Sequence, residues 1–390
     1  MFYRREIQLF LILLFGAVLL SVSVCEAEGL VYDRVRIRPS ISLSEIYTDN
    51  TFLTHSNEVS EFITTLSPRA SLDLAFSPGS YITFTYGLDY RIHSRFKNFK
   101  KDTHKLSLTY TWKTTKGSKV EVGTKLDLDF LQPYSKADRA KRFTLKRFYM
   151  DTQLHIGAFT EIGFNLGFDS RRFRDDRDER DDYDRTKITL MGGYSLFPAS
   201  VIFIETSYSH QNNPRLAGLP DTDMDTYTIY TGVKWAPTSK LSGTLKAGYT
   251  KTHFKELNDF DGTAIDTDIT YKYSEITHFN LRLFKTLIRS TRGARETGEY
   301  FISRGGGLSC IYTRWEPLTF TVDLGYNVKD FRETTADRKD KLYTLGLKTD
   351  YKYRQWLSWT LQYRYRKNSS NITTEQYRDN RFIMTISASI

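Results

Sequence analysis

The sequence predicts an all-β protein: a transmembrane, antiparallel, up-and-down β-barrel of about 18 strands, with short periplasmic turns and longer extracellular loops. Three observations lead there. Apolar and polar residues alternate with period two along most of the chain, the connections alternate between short and long, and the first residues read as an export signal.

The export signal comes first. "MFYRREIQ" carries Arg4 and Arg5, "LFLILLFGAVLLSVSV" is an apolar stretch, and "CEA" ends on the small residues Cys25 and Ala27. The pattern predicts a signal peptide over residues 1–27, cleaved after Ala27, and a barrel over 28–390. An uncleaved anchor would be followed by a stop-transfer pattern, and a lipid-modified Cys25 would need a better residue before it than Val24. After cleavage only Cys310 is left, so no internal disulfide is expected despite export. No other apolar run approaches the roughly 20 residues of a spanning helix.

From Glu28 onward the strands follow. "YITFTYGLDYRI" puts Ile82, Phe84, Tyr86, Leu88, Tyr90 and Ile92 on one face and Thr83, Thr85, Gly87, Asp89, Arg91 and His93 on the other. "KLSLTYTW" and "KVEVGTKLDLDF" repeat the pattern, while helical spacing fails in nearly every window. Short turns stand at "SPGS", "TTKGS", "GAFT", "FPAS" and "APTS", then near Ser274, at "EPLT" and around Gln355, about 40 residues apart. Between them lie nine longer polar connections, among them "NFKKDT", "QPYSKADRAKR", "NNPRLAGLPDTDMD" and "RETTADRKDK". Eight short turns and nine long loops make an even strand count with both termini on the short-turn side. Pro39 and Pro68 interrupt the first two strands, where the pattern is weakest.

A soluble sandwich would also alternate, but its exposed face would carry rows of Leu, Tyr, Phe and Trp. A propeller would show a four-strand blade repeat, and none is visible. A membrane barrel reconciles strong alternation with a mean hydropathy of -0.47, since only every second strand residue meets lipid. All five tryptophans, Trp112, Trp235, Trp315, Trp356 and Trp359, lie beside short turns and read as a periplasmic aromatic girdle. Cys310 falls on the apolar parity and reads as a small lipid-facing residue.

The closing "RFIMTISASI" sets Phe382, Met384, Ile386, Ala388 and Ile390 outward on a last strand. Together with "ISLSEIYTDNTFLT", "FITTLSPRASLDLAF", "YGLDYRIHSRF" and "YRDNRFIMTISASI", it resembles the β-barrel porin type 2 family of Gram-negative outer membranes. The terminal Ile390 departs from the aromatic residue usual at that position. The resemblance covers the expected mature chain and implies an outer-membrane location. It also implies an association with exopolysaccharide or exosortase-linked systems, in which the barrel would be the exit and periplasmic polysaccharide-export proteins would feed it. Outer-membrane lipid, lipopolysaccharide and the barrel assembly machinery are the other expected partners. The formal charge of +10 is spread along the chain and gives no reason to expect nucleic-acid binding.

Alternation also names candidate pore-lining residues. These are Asp89, Arg91, His93 and Arg95, then Glu121, Lys125, Asp127 and Asp129, then Asp151, Gln153 and His155. Later strands contribute Lys348, Asp350, Lys352 and Arg354, with Gln362, Arg364 and Arg366. This order suggests acids on the early strands facing bases on the late ones, across a lumen too wide for side chains to fill. No G-x-S-x-G, H-E-x-x-H or phosphate-binding loop is present, and no cofactor, metal site or enzymatic activity is expected. The best hydrolase-like grouping is His210 with Asp221, Asp223 and Asp225. Conduction of polar material follows from the wide polar lumen; a small-solute diffusion porin and a closed surface-binding barrel are the alternatives. The charged run "RRFRDDRDERDDYDR", Arg171 to Arg185, reads as a solvated outer loop that could meet lipopolysaccharide phosphates.

Overall fold

The computed structural model describes residues 30–96, 99, 101–131, 140–197, 199–214, 221–290, 300–332 and 337–390. The signal peptide expected over 1–27 lies outside the described residues. The first strands are β1 (Leu30–Tyr32), β2 (Val35–Thr48), β3 (Glu61–Ser77), β4 (Ser80–His93), β5 (Lys101–Lys113) and β6 (Lys119–Leu131). Next come β7 (Lys141–Ile156), β8 (Thr160–Phe173), β9 (Tyr183–Phe197), β10 (Ser200–Asn212), β11 (Met224–Trp235) and β12 (Leu241–Phe254). The last are β13 (Phe260–Lys272), β14 (Thr277–Arg289), β15 (Tyr300–Trp315), β16 (Leu318–Arg332), β17 (Lys339–Arg354), β18 (Leu357–Ser370) and β19 (Tyr377–Ser389).

From β2 to β19 each strand pairs antiparallel with the next, and β19 returns to β2 from Arg381↔Thr48 to Ser389↔Ser40. The barrel is therefore closed with 18 strands and has no free edge, which a membrane requires. The short β1 doubles back on β2, pairing Leu30 with Ile37, just below the level where β19 ends. The eight short turns and nine long connections fall where the sequence places them.

Tight turns set the hairpins. Gly79 holds φ at +87°, and a Cβ there would stand 2.4 Å from the Lys113 carbonyl oxygen, so the turn between β3 and β4 needs glycine. Both strand prolines are accommodated. Pro39 and Pro68 sit inside β2 and β3, and the β3–β4 ladder skips Ser67 and Pro68 before resuming in the same register.

Burial is inverted relative to a soluble protein. Among the described residues, 12 hydrophobic side chains are buried and 52 large ones are exposed, including Phe84, Leu108, Ile204, Leu324, Leu361 and Phe382. That surface is stable only against hydrocarbon. The few buried apolar side chains, such as Phe52, Phe254, Phe301 and Phe331, gather near the long-loop end. Trp112, Trp235, Trp315 and Trp359 lie at the short-turn ends of their strands, and Trp356 lies in the turn between β17 and β18. Cys310 pairs with Phe279 and Val322 on the outward face.

Candidate functional site: the lumen wall and its mouth

Residues facing one another across an antiparallel ladder share a face, so register fixes the inward set. Asp89, Arg91 and His93 on β4, and Glu121, Lys125, Asp127 and Asp129 on β6, share the inward parity. So do Asp151, Gln153 and His155 on β7. Lys348, Asp350, Lys352 and Arg354 on β17 face Gln362, Arg364 and Arg366 on β18 from the same side. Arg95 is different: it lies past the end of β4, with its backbone N–H donating to Glu61 Oε1 at 3.4 Å. His93 is covered as well, only 5% exposed, with Nδ1 3.0 Å from Glu61 Oε2.

The expected transverse separation of charge does not form. Early acids meet early bases, across neighbouring strands for Asp73 with Arg38 at 2.6 Å and Asp89 with Lys105 at 3.2 Å, and along β6 for Glu121 with Lys119 at 2.7 Å. Asp127 pairs with Arg147 and Asp169 with Arg185. Glu161 accepts from Lys234 at 2.6 Å and from Gln153 at 2.9 Å, so one carboxylate links three strands. Most of these pairs join strands that are consecutive in the chain and adjacent in the sheet, while Glu161–Lys234 spans from β8 to β11 past two intervening strands.

The late strands keep an excess of base. On β17, β18 and β19 six bases face inward, Lys348, Lys352, Arg354, Arg364, Arg366 and Arg381, against the acids Asp340, Asp350 and Asp379. Asp379 is fully buried, accepting from Arg366 at 2.5 Å, Arg381 at 2.8 Å and Thr48 at 2.7 Å. Two guanidiniums thus share one carboxylate, and Arg364 beside them has no carboxylate partner among the described residues.

Across the lumen, β9 to β14 enclose a recess of about 580 Å³ lined by Lys187, Glu205, Tyr230, Lys246, Asp266 and Arg282 with several hydroxyls. Lys246 donates to Glu205 at 3.0 Å and stands 3.5 Å from Asp266. Lys187 and Arg282 are exposed to the lumen and form no ion pair among the described residues. Above them, hydroxyls pair across strands, Thr226 with Thr252 at 3.0 Å and Thr228 with Thr250 at 2.8 Å. This wall can hold an anion through its free cations and a polyol through its hydroxyls.

The charged run at Arg171 is not a simple outward loop. Arg171 and Arg172 belong to β8 and Asp184 and Arg185 to β9, and Asp176–Asp181 forms a short 3-10 helix. Asp178, Asp181 and Asp182 are each less than 8% exposed. Arg171, inward on β8, donates Nε and Nη2 to the Asp181 carbonyl at 2.9 and 2.6 Å. Lys141, inward on β7, reaches Asp178 Oδ1 at 3.3 Å, and Arg289 at the end of β14 donates to the Arg180 carbonyl at 3.3 Å. Held from β7, β8 and β14, residues 174–182 fold inward over the lumen mouth. They carry three arginines and six acids, so a net-negative flap covers a net-positive wall. Burial pushes the Asp182 carboxyl up from its ordinary value, against the Phe173 N–H that donates to it at 2.6 Å and the charge of Arg172.

Two aromatic clusters narrow the same end. Phe52, Phe96 and Phe99 pack against the His93–Glu61 pair, edge to face for Phe52–Phe96 with centroids 5.0 Å apart and stacked for Phe96–Phe99 at 5.4 Å. Phe301 and Phe331 meet at 5.1 Å, and Arg338 lies 4.5 Å over Phe331 while bonding Asp340 at 2.6 Å and Glu375 at 3.2 Å. Sequence reasoning missed these aromatics. The available signal was a break in parity: Phe301 and Phe331 occupy inward positions near the long-loop ends of strands whose other inward positions, Ile311 apart, are polar or glycine.

The hydrolase-like grouping does not assemble. His210 Nδ1 lies 2.8 Å from Asp225 and Nε2 lies 2.9 Å from Asn212, but both His210 and Asp225 are on the outward parity. Ser207 and Ser209, its neighbours on β10, face the other way, and Asp221 and Asp223 hold Lys255 at 2.7 and 3.5 Å. Among the described residues no serine or threonine hydroxyl bonds the histidine, and the Tyr208 hydroxyl donates instead to Asp225 Oδ1 at 2.7 Å.

A closed 18-strand barrel with an apolar exterior, a charged lumen and long loops at one end defines the class: an outer-membrane porin-like barrel. Residues 164–389, more than half of the chain, match the family described as "Putative beta-barrel porin 2", and the chain belongs to that family. It resides in the outer membrane of a Gram-negative bacterium. Among solved structures it is similar to OpdQ of Pseudomonas aeruginosa, at 12% identity and TM-score 0.53 over 92% of this chain and 100% of that one. A BenF-like porin from Pseudomonas fluorescens Pf-5 aligns at 10% identity and TM-score 0.53, over 91% of this chain and 99% of the other. OpdK of Pseudomonas aeruginosa aligns at 10% identity and TM-score 0.51, again over 91% and 99%. At such identities the likeness is one of fold. Among curated proteins none matches.

Proposed function

We propose that this barrel is a passive conduit for polar solutes across the outer membrane, with a preference for anions. The observation that carries the reading is the inward excess of base, six against three on β17–β19, joined by unpaired Lys187 and Arg282 on the facing wall. A solute entering that field is attracted if anionic and repelled if cationic. Export of a polysaccharide is the narrower form of the reading. The family resemblance and the cross-strand hydroxyl pairs, which suit a sugar's own hydroxyls, support it. Free diffusion of small solutes fits the same wall.

Single-channel recording in planar bilayers tests conduction, and the reversal potential in a KCl gradient tests its sign. Absence of conductance at every voltage would sink the conduit and leave a surface structural or binding barrel. Deleting the gene and staining for surface polymer separates the two forms of conduit: loss of polymer selects export, and unchanged polymer selects diffusion.

A further inference from the structure

Outward positions on a membrane barrel should be apolar or aromatic, yet cations stand there at the long-loop end. On β5 to β13 most such charges are matched, Lys146 and Lys251 being scattered exceptions on β7 and β12. Asp102 takes Arg142 at 3.3 Å, Asp184 takes Arg172, Asp225 takes His210 at 2.8 Å, and Asp259 takes His253 at 2.6 Å. On β14 to β19 they are not. Lys285, Arg304, Lys341, Lys367 and Arg378 all share the outward face, and none forms an ion pair among the described residues. Among the described residues the only outward acid on those strands, Asp330, is held by Arg332 at 2.8 Å.

Register makes these five residues a row. Lys285 pairs directly with Arg304, Arg304 and Lys341 flank Val328, and Lys367 pairs with Arg378. The row crosses six adjacent strands, about 24 Å at the usual strand spacing. Its height is set by what lies beneath. Below Lys367 on β18 come Tyr365, Tyr363, Leu361 and Trp359, eight residues or about 26 Å of strand, which projects to about 20 Å at the tilt usual in barrels. That is the depth of an apolar band with its periplasmic tryptophan at the bottom, so the cations stand at the outer headgroups. Five lysines and arginines without carboxylates cost little only where phosphate supplies the counter-charge.

We propose that the outward row Lys285–Arg304–Lys341–Lys367–Arg378 binds the phosphates of the outer-leaflet glycolipid, lipopolysaccharide. One side of the barrel, β14 to β19, is its docking face. The side from β5 to β13, where most outward charges are paired and the two lysines without an ion pair among the described residues stand on separate strands, is not. The site is independent of conduction, because none of the five residues faces the lumen.

The test is binding of diphosphorylated lipid A, and of its dephosphorylated form, to the full-length barrel in detergent, read by native mass spectrometry. Wild type should hold the phosphorylated form at least about tenfold more tightly, and Arg304→Gln/Lys341→Gln/Lys367→Gln should lower that affinity about a hundredfold. The control Arg142→Gln/Arg172→Gln should stay within about twofold, and millimolar inorganic phosphate should not displace the lipid. Equal binding of the two lipids, an unaffected triple variant, an equal loss in the control, or displacement by inorganic phosphate would each overturn the assignment. Should the triple variant fail to fold by heat-modifiability, a salt titration of wild type decides: affinity should fall steeply with ionic strength, and a flat response refutes the row. Channel conductance of the variants should match wild type, which keeps this result separate from the conduit reading.

Discussion

Arg289, at the end of β14, donates to the carbonyl of Arg180 at 3.3 Å, and 109 residues of chain separate the two. Through this contact the segment between β8 and β9 reaches six strands around the barrel and lies over the mouth. Lys141 on Asp178 and Arg171 on the Asp181 carbonyl hold its near side. An acidic flap above a basic lumen is the arrangement with the most direct consequence for passage.

Loosening that flap should widen the entrance. Lys141→Ala combined with Arg289→Ala removes two side-chain anchors, each worth about 1 kcal/mol. Single-channel conductance should rise, with more frequent open events. Conductance equal to wild type would show that the flap does not limit flow.

Selectivity should follow the unpaired cations. Lys187→Gln with Arg282→Gln should reduce the chloride-over-potassium permeability ratio by about two- to threefold, and Arg364→Glu should reduce it further. Asp127→Asn should change it less, because that charge is already matched by Arg147. Reversal potentials in a salt gradient read all three.

The pair beneath the Phe52 cluster should matter for stability. Glu61 is 1% exposed and also accepts the Phe96 N–H at 3.2 Å, while His93 Nε2 has no partner among the described residues. Glu61→Ala strips the acceptor from a buried histidine and two backbone donors. The expected loss is about 3 kcal/mol in urea unfolding from lipid vesicles. Glu61→Gln should restore part of it.

Flap docking should depend on pH through Asp182. Its carboxyl holds a proton more readily when docked than when the segment is free, because burial raises its folded value above the ordinary 3.8. A raised acid favours the docked form as pH falls and opposes it once ionised. Protease protection of residues 174–182 should therefore increase as pH is lowered from neutral toward the ordinary aspartate range. Protection that declines over the same window would contradict the assignment.

Much of this was legible in the chain. Phe84 and Asp89 fall on opposite faces because successive side chains in a strand point opposite ways, a rule that needs no knowledge of neighbours. Trp315 and Trp359 stood beside turn formers, so their level in the membrane could be read directly. Arg95 was misplaced because alternation does not announce where a strand stops. Glu161 with Lys234, 73 residues apart, could not be foreseen, since β8 and β11 are not neighbours in the sheet and their side chains meet only once the curved wall brings them together inside the lumen.

By itself the sequence determined the strand count, the lipid-facing and water-facing sides, the end bearing the long loops, and the band between the aromatic levels. All of these follow from local backbone geometry and turn chemistry. Only the tertiary structure decided which charges cancel, which stay free inside at Lys187, Arg282 and Arg364, and which stay free outside from Lys285 to Arg378. It also turned the charged run at Arg171 from an outward loop into a cover for the mouth. The physical reason is that Coulomb and hydrogen-bond partners are set by distances of a few ångströms, and those distances exist only once the barrel has closed and fixed its register.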